Sequence, residues 1–154
     1  MIVKQLPYPA INLLRNVKQN INNYINLSDK VALNEEIHEE LLKCIEMTVK
    51  LTYPNAKAYA FGSRATLSAF PDSDIDIFLD CIYDYDEISS HDKSLNQLNS
   101  VMKNFIKHRD IWGVIQVISN ARVPLIKLLH KPTQIKCDVS FFNGLGVEKS
   151  KLIR

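Results

Sequence analysis

Asp74-Ile75-Asp76-Ile77-Phe78-Leu79-Asp80 alternates strictly, with Ile75, Ile77 and Leu79 on one face and Asp74, Asp76, Phe78 and Asp80 on the other. That two-residue period is the mark of a strand buried on one side, and here the exposed side carries acids. At a rise of roughly 3.3 Å per residue, the α-carbons of Asp74 and Asp76 lie about 6.6 Å apart with both side chains on one face. Carboxylates held that close repel each other and raise one pKa unless a cation neutralises them. A divalent ion such as Mg²⁺ fits, because it takes oxygen ligands and keeps water and phosphate oxygens in its shell. Taken alone, an Asp-x-Asp pair is more often a solvated strand face than a site.

The flanking sequence changes that balance. Upstream, the run from Ala56 to Phe61 reads as a strand stopped by Gly62-Ser63, a turn whose backbone N–H groups and hydroxyl can hold phosphate oxygens. Downstream, Ile135-Lys136-Cys137-Asp138-Val139-Ser140 is a strand with a single acid in an apolar and basic neighbourhood. Such an acid, if half buried, needs a partner, either a metal ion or a nearby Lys or Arg. A third carboxylate beside the first two would complete a site for two metal ions.

Charge is distributed in the same sense. The chain has 154 residues with 19 Lys+Arg against 17 Asp+Glu, a net charge of +2. Eight acids (Asp72, Asp74, Asp76, Asp80, Asp84, Asp86, Glu87, Asp92) crowd residues 72–92, which hold no Lys or Arg. Of these, Asp84, Asp86, Glu87 and Asp92 read as a solvated loop. From Lys93 to Arg154 eleven basic residues face only Asp110, Asp138 and Glu148. An apolar content of 46% suits one globular domain and argues against an extended disordered chain. No apolar run reaches about 18 residues, which points to a soluble protein. The N-terminus lacks a secretory signal, and the odd, scattered Cys44, Cys81 and Cys137 suggest neither disulfides nor zinc. A reducing compartment is expected, the cytoplasm first, with the nucleus left open.

Helical spacing of Ala10, Leu14, Val17, Ile21, Tyr24 and Ile25 predicts a helix over about 10–26. Ile37, Leu41, Cys44, Ile45, Thr48 and Val49 predict a second, with Ser28 or Asn34 as its cap and an end near Tyr53-Pro54. Leu95, Leu98, Met102, Phe105 and Ile106 mark a third, opened by Ser89 or Ser90. Strands follow over Trp112–Ser119, Arg122–His130 and Gln134–Phe142, with Asn120-Ala121 and Lys131-Pro132-Thr133 as turns. Pro124 marks the middle strand as an edge or bulged one. A last helix begins at about 145 and is cut short at 154. The expectation is a single α+β domain over 1–154, a mixed sheet with helices packed against it.

Phe61-Gly62-Ser63, ten residues, then Asp74-Ile75-Asp76, with Asp138 on a later strand, resembles the signature of the DNA-polymerase-β-like nucleotidyltransferase superfamily. Ser73-Asp74-Ile75-Asp76-Ile77 and the segment from Asp138 to Arg154 are most similar to its poly(A) polymerase and terminal uridylyltransferase members. The resemblance covers about Leu51 to Arg154. It implies addition of UMP or AMP to RNA 3′ ends with Mg²⁺ or Mn²⁺ held by Asp74, Asp76 and Asp138. Asp138 would lie closest to the attacking hydroxyl. Gly62, Ser63, Ser73, Lys149 and Ser150 would bind the nucleoside triphosphate, Lys149 standing where the family usually has Asn. Family members continue into a helical central domain, whereas this sequence stops at Arg154. The expectation is therefore a homodimer, or a partner protein in place of that domain; the alternative function is a catalytically weak or inactive RNA-binding scaffold.

The remaining candidates read as structural. His38, His91, His108 and His130 have unrelated spacings, and Cys137 alternates to the strand face opposite Asp138. Trp112, Tyr24, Tyr53 and Tyr59 read as packing residues. Arg122, Lys127, Lys131 and Lys136 form either a basic surface for RNA or a solvated sheet edge.

Overall fold

The computed structural model describes residues 8–32, 35–66, 68–70, 72–81, 91–141 and 144–153. Among them the order is α1 (Tyr8–Ala32), α2 (Glu35–Val49), β1 (Lys57–Phe61), α3 (Gly62–Ala65), β2 (Ile75–Asp80), α4 (His91–Lys107), β3 (Trp112–Ile118), β4 (Leu125–His130), β5 (Ile135–Ser140) and α5 (Leu145–Ile153). The strands form one mixed sheet in the order β1-β2-β5-β4-β3. Only β2 and β5 run parallel; the other neighbouring pairs are antiparallel. No helix among the described residues is long and apolar enough to cross a membrane.

The sheet has two unlike faces because the strands alternate. Ala58, Ile75, Ile77, Leu79, Ile126, Leu128, Cys137 and Val139 point to one side and are buried. There they meet Leu41, Ile45 and Val49 from α2 and Leu98, Val101 and Phe105 from α4. Helical spacing put each triplet on one stripe, and burying both stripes on the sheet builds the core. Trp112 closes this layer at 1% exposure, with its ring edge-on to Phe105 at 5.2 Å. Its indole N–H donates to the Thr48 hydroxyl at 2.9 Å, and that hydroxyl donates in turn to the Cys44 carbonyl at 2.8 Å.

The opposite face carries the acids, and it is less open than the alternation implied. Phe78 is buried there, stacked on Tyr59 at 6.4 Å and covered by the α5 entry at Gly144. Helix α5 approaches β1 so closely that a Cβ on Gly146 would lie 2.7 Å from the Phe61 ring. Both hydrogen-bonding roles of the Ser150 hydroxyl go to this joint: it donates to the Gly146 carbonyl and accepts from the Gly62 N–H.

Several expectations need correction. β4 is an inner strand, not an edge; Pro124 precedes it, where no ladder N–H is required, and the bulge falls instead in β3 at Val114/Gln116. The first helix runs longer than 10–26, and Ser28 lies inside it rather than capping the second. Its apolar stripe is largely uncovered, with Leu14, Val17, Ile21 and Ile25 exposed and the Tyr24 ring edge-on to Phe70 at 6.3 Å. The Gly62-Ser63 turn after β1 is the start of a one-turn helix. Asn34, Asp84, Asp86, Glu87, Ser89 and Ser90 lie outside the described residues.

Thr48→Val keeps the side-chain shape but removes the acceptor of a buried indole N–H. It is expected to cost about 1–3 kcal/mol in urea unfolding; an unchanged midpoint would contradict this role for Thr48.

Candidate active site

Sheet register assembles the site. On four neighbouring strands Phe61 pairs with Asp76, Asp76 with Asp138, and Asp138 with Lys127. A single row across the sheet thus reads aromatic, acid, acid, ammonium. Residues abreast on paired strands share a face, so Asp76 and Asp138 face the same space. Asp74 sits just before β2, two residues from Asp76, and joins them from the strand end. The Lys127 ammonium donates to Asp138 Oδ2 at 2.5 Å and lies 3.8 Å from Asp74 Oδ2.

The turn after β1 is built against this row. Gly62 has φ of 73°, a left-handed conformation that favours glycine, and a Cβ there would collide with the Asp76 carboxylate. The glycine therefore lets the turn come down onto the acid. Ser63 follows, half-buried, with no partner for its hydroxyl among the described residues. Arg64 then turns inward, 7% exposed, and its Nε and Nη2 both donate to the Ser73 carbonyl, at 2.8 and 2.5 Å. The Ser73 hydroxyl accepts the Phe70 N–H at 2.9 Å. Arg64 thereby ties the Gly-Ser turn to the peptide that leads into Asp74.

Electrostatics follow from the crowding. Burial raises the Asp76 pKa above the usual carboxylate range, Asp138 and then Asp74 add to the rise, and Lys127 opposes it. The hydrogen bond to Asp138 raises the Lys127 pKa, which keeps the ammonium charged. Burial pushes Cys137 up to about 12, so the thiol on the core face is no nucleophile.

The structure brings together Asp74, Asp76, Asp138, Gly62 and Ser63, and it holds Ser73 beside them through Arg64. Ser150 joins the neighbourhood through the Gly62 N–H, while Lys149 is exposed on α5 and makes no ion pair among the described residues. Of the four basic residues, Lys127 lies among the acids, the Lys131 ammonium donates to the Arg109 carbonyl, and Lys136 is exposed on β5. His38 lies beside Arg64, the His108 ring meets the Asn104 carbonyl, and His130 is buried against Trp112. Sequence reasoning missed the role of Arg64, although an arginine directly after a Gly-Ser turn, with an acidic strand to follow, was a usable signal. It also did not set Lys127 against the acids, although strand parity between Ile126 and Leu128 would have placed it on their face.

Asp76 on β2 and Asp138 on β5, with Asp74 just before β2, are hard oxygen donors of the kind a divalent cation takes. An ammonium already bridging two of them shows that the arrangement favours positive charge. Among the described residues no three His, Cys, Asp or Glu side chains are yet drawn to one point. Asp74, Asp76 and Asp138 fit such an ion as donors.

Comparisons with known proteins bear on the family and the fold. Residues 17–154 match the family described as poly(A) RNA polymerase, mitochondrial-like, central palm domain. Poly(A) RNA polymerase protein 2 of Saccharomyces cerevisiae is 34% identical over 119 residues, covering 77% of this chain and 19% of the relative. Terminal uridylyltransferase 7 of Homo sapiens is 21% identical over 152 residues, covering 84% of this chain and 9% of the relative. The chain thus spans about a fifth or less of the curated relatives it matches. Among solved structures, mtPAP in complex with ATPγS matches with a TM-score of 0.64 at 24% identity, over 73% of this chain and 26% of that one. The GLD-2/RNP-8 complex matches at 0.70 and 18% identity, over 88% of this chain and 51% of that one. At these identities the structures establish the fold.

The raised Asp76 pKa has a defined consequence. Its protonated form is favoured in the folded state, so its contribution to stability is present below the unfolded pKa and is lost as pH rises through the folded value. Asp76→Asn is therefore expected to raise the melting temperature of the metal-free protein by a few degrees at neutral pH. The gain should shrink as pH falls through the Asp76 folded pKa toward 3.8, the ordinary value. A variant that melts lower than wild type across that range contradicts the crowding.

Proposed function

The chain belongs to the family of mitochondrial-like poly(A) RNA polymerase central palm domains, and from that premise we propose that it is the catalytic palm of an enzyme adding nucleotides, UMP or AMP, to RNA 3′ ends. The observation that carries the reading is the row Asp76–Asp138, with Asp74 at its end, set beneath the Gly62-Ser63 turn.

In this reading Asp74, Asp76 and Asp138 hold Mg²⁺ or Mn²⁺, which when bound supplies Lewis acidity at the phosphoryl group and at the attacking hydroxyl. The chain's own residues do the rest. Gly62 leaves room for the turn to reach the acids, and the Ser63 hydroxyl, without a partner among the described residues, would hold a phosphate oxygen of a nucleoside triphosphate. Arg64 fixes the Ser73 carbonyl and so the direction in which Asp74 and Asp76 leave the loop. Asp138 would lie closest to the RNA 3′-hydroxyl and assist its deprotonation. Positioning supplies much of the rate in phosphoryl transfer, which suits a site built on strand register rather than on loops. Ser150 contributes by anchoring α5 to the turn, and Lys149 is available to a phosphate from the same helix.

The exposed stripe of α1, together with Leu145, Leu152 and Ile153 on α5, supports cover by a second copy of the chain or by a partner protein.

Two measurements test these readings. Purified protein incubated with a short labelled RNA, Mg²⁺ or Mn²⁺ and each NTP in turn should extend the RNA with one preferred NTP. Asp138→Ala should reduce that extension by at least about 100-fold, on the scale of a lost metal ligand and proton acceptor. Metal-dependent nucleotide binding without any extension would overturn the enzymatic reading. Sedimentation at micromolar concentration should show a dimer or require the partner; a stable lone monomer would overturn the cover.

A further inference from the structure

Lys127 is the charged member of the row that metal ligation leaves without a task. Ile126 and Leu128, its neighbours on β4, are fully buried in the core, so strand parity sends Lys127 to the acid face with no alternative. Register puts it abreast of Asp138, and its ammonium reaches both Asp138 and Asp74. The Asp138 side chain is only 18% exposed and the Lys127 side chain 30%, so water screens this contact less than a surface pair. An acid in that position without a cation would be costly to bury. Lysine also has the right mobility: a compact charge on a flexible four-carbon stem can leave one oxygen and settle elsewhere, which a forked guanidinium does less readily.

We infer that Lys127 is the resident counter-ion of the Asp74/Asp76/Asp138 cluster and that a divalent cation entering the cluster displaces its ammonium from Asp138, so that Lys127 sets how tightly the ion is held. This rests on the reading of the three aspartates as metal ligands. Two consequences follow from exchange of one cation for another on the same oxygens. Without metal, Lys127 stabilises the fold by relieving repulsion among the acids. With metal, the same contact must be given up, so it weakens the ion's net affinity. A lysine that served only to hold Asp138 in position would act in the opposite direction, since its loss would loosen a ligand and weaken binding.

The test uses the full chain as wild type, Lys127→Met and Lys127→Arg, with Mn²⁺ binding read from the electron paramagnetic resonance of the free ion. Lys127→Met is expected to bind Mn²⁺ about five- to tenfold more tightly than wild type, an effect of the size of one removed nearby charge. Lys127→Arg, which keeps the charge, should show no such gain. Lys127→Met should also melt below wild type without metal, and saturating Mn²⁺ should close most of the gap. A second measurement needs no folded Met variant: in wild type labelled with ¹⁵N-lysine, one slowly exchanging ammonium resonance should be present without metal and shift when Mg²⁺ is added. Unchanged or weaker Mn²⁺ binding by Lys127→Met, or an ammonium resonance indifferent to Mg²⁺, overturns the inference while leaving the aspartates as ligands. Wild type that binds no Mn²⁺ overturns the ligand reading and the inference with it.

Discussion

Two aspartates placed abreast on adjacent parallel strands repel one another, and the rest of this molecule is arranged around keeping that repulsion in place. Asp76 and Asp138 cannot drift apart without breaking the β2–β5 ladder. That ladder is held from below by Ile77 and Val139 at zero exposure, packed with α2 and α4. Core packing is dense and resists deformation, so the work of crowding the carboxylates is met by apolar burial some distance from them. Positive charge is what the arrangement lacks, and Lys127 from the next strand provides it in the structure described.

The sheet therefore has a division of labour between its faces. One face is ordinary core, made by two amphipathic helices. The other is a working surface whose parts are fixed by backbone rather than by side-chain packing. Gly62 is the clearest case, because its left-handed φ and its missing Cβ are both needed for the turn to meet Asp76. Gly146 serves the same end from α5, admitting the Phe61 ring, and Ser150 then locks that helix to the Gly62 N–H. Arg64 joins the two halves of the motif through the Ser73 carbonyl. What reads in the sequence as two separated signatures is in the fold one hydrogen-bonded unit.

Much of this was legible before any coordinates. The period of Asp74–Asp80 gave a strand and its acid face, and the helical stripes of α2 and α4 gave the layer that buries the other side. The α+β class followed, and so did the pairing of Asp138 with either a metal or a basic residue. What remained hidden depended on which strands neighbour which. Pro124 looked like an edge marker because sequence cannot show that it falls just outside β4. Lys127 looked like part of a basic surface because only register sets it against Asp138. The stripe of α1 looked like a core face, yet it is exposed, since periodicity reports that a face is apolar and not what covers it. Arg64 is harder to read because its partner is a backbone carbonyl nine residues on, and only its place directly after the Gly-Ser turn hints at the role.

The proposed function depends on Asp74, Asp76 and Asp138 acting as one cation-binding centre beneath the Gly62-Ser63 turn. The most direct measurement is a crystal structure of the protein with Mn²⁺ and a non-hydrolysable nucleoside triphosphate analogue, with the ion located by its anomalous scattering. Anomalous density is expected between Asp74, Asp76 and Asp138, with phosphate oxygens between the ion and Ser63. Density elsewhere on the chain, or none at saturating Mn²⁺ and nucleotide, would contradict it.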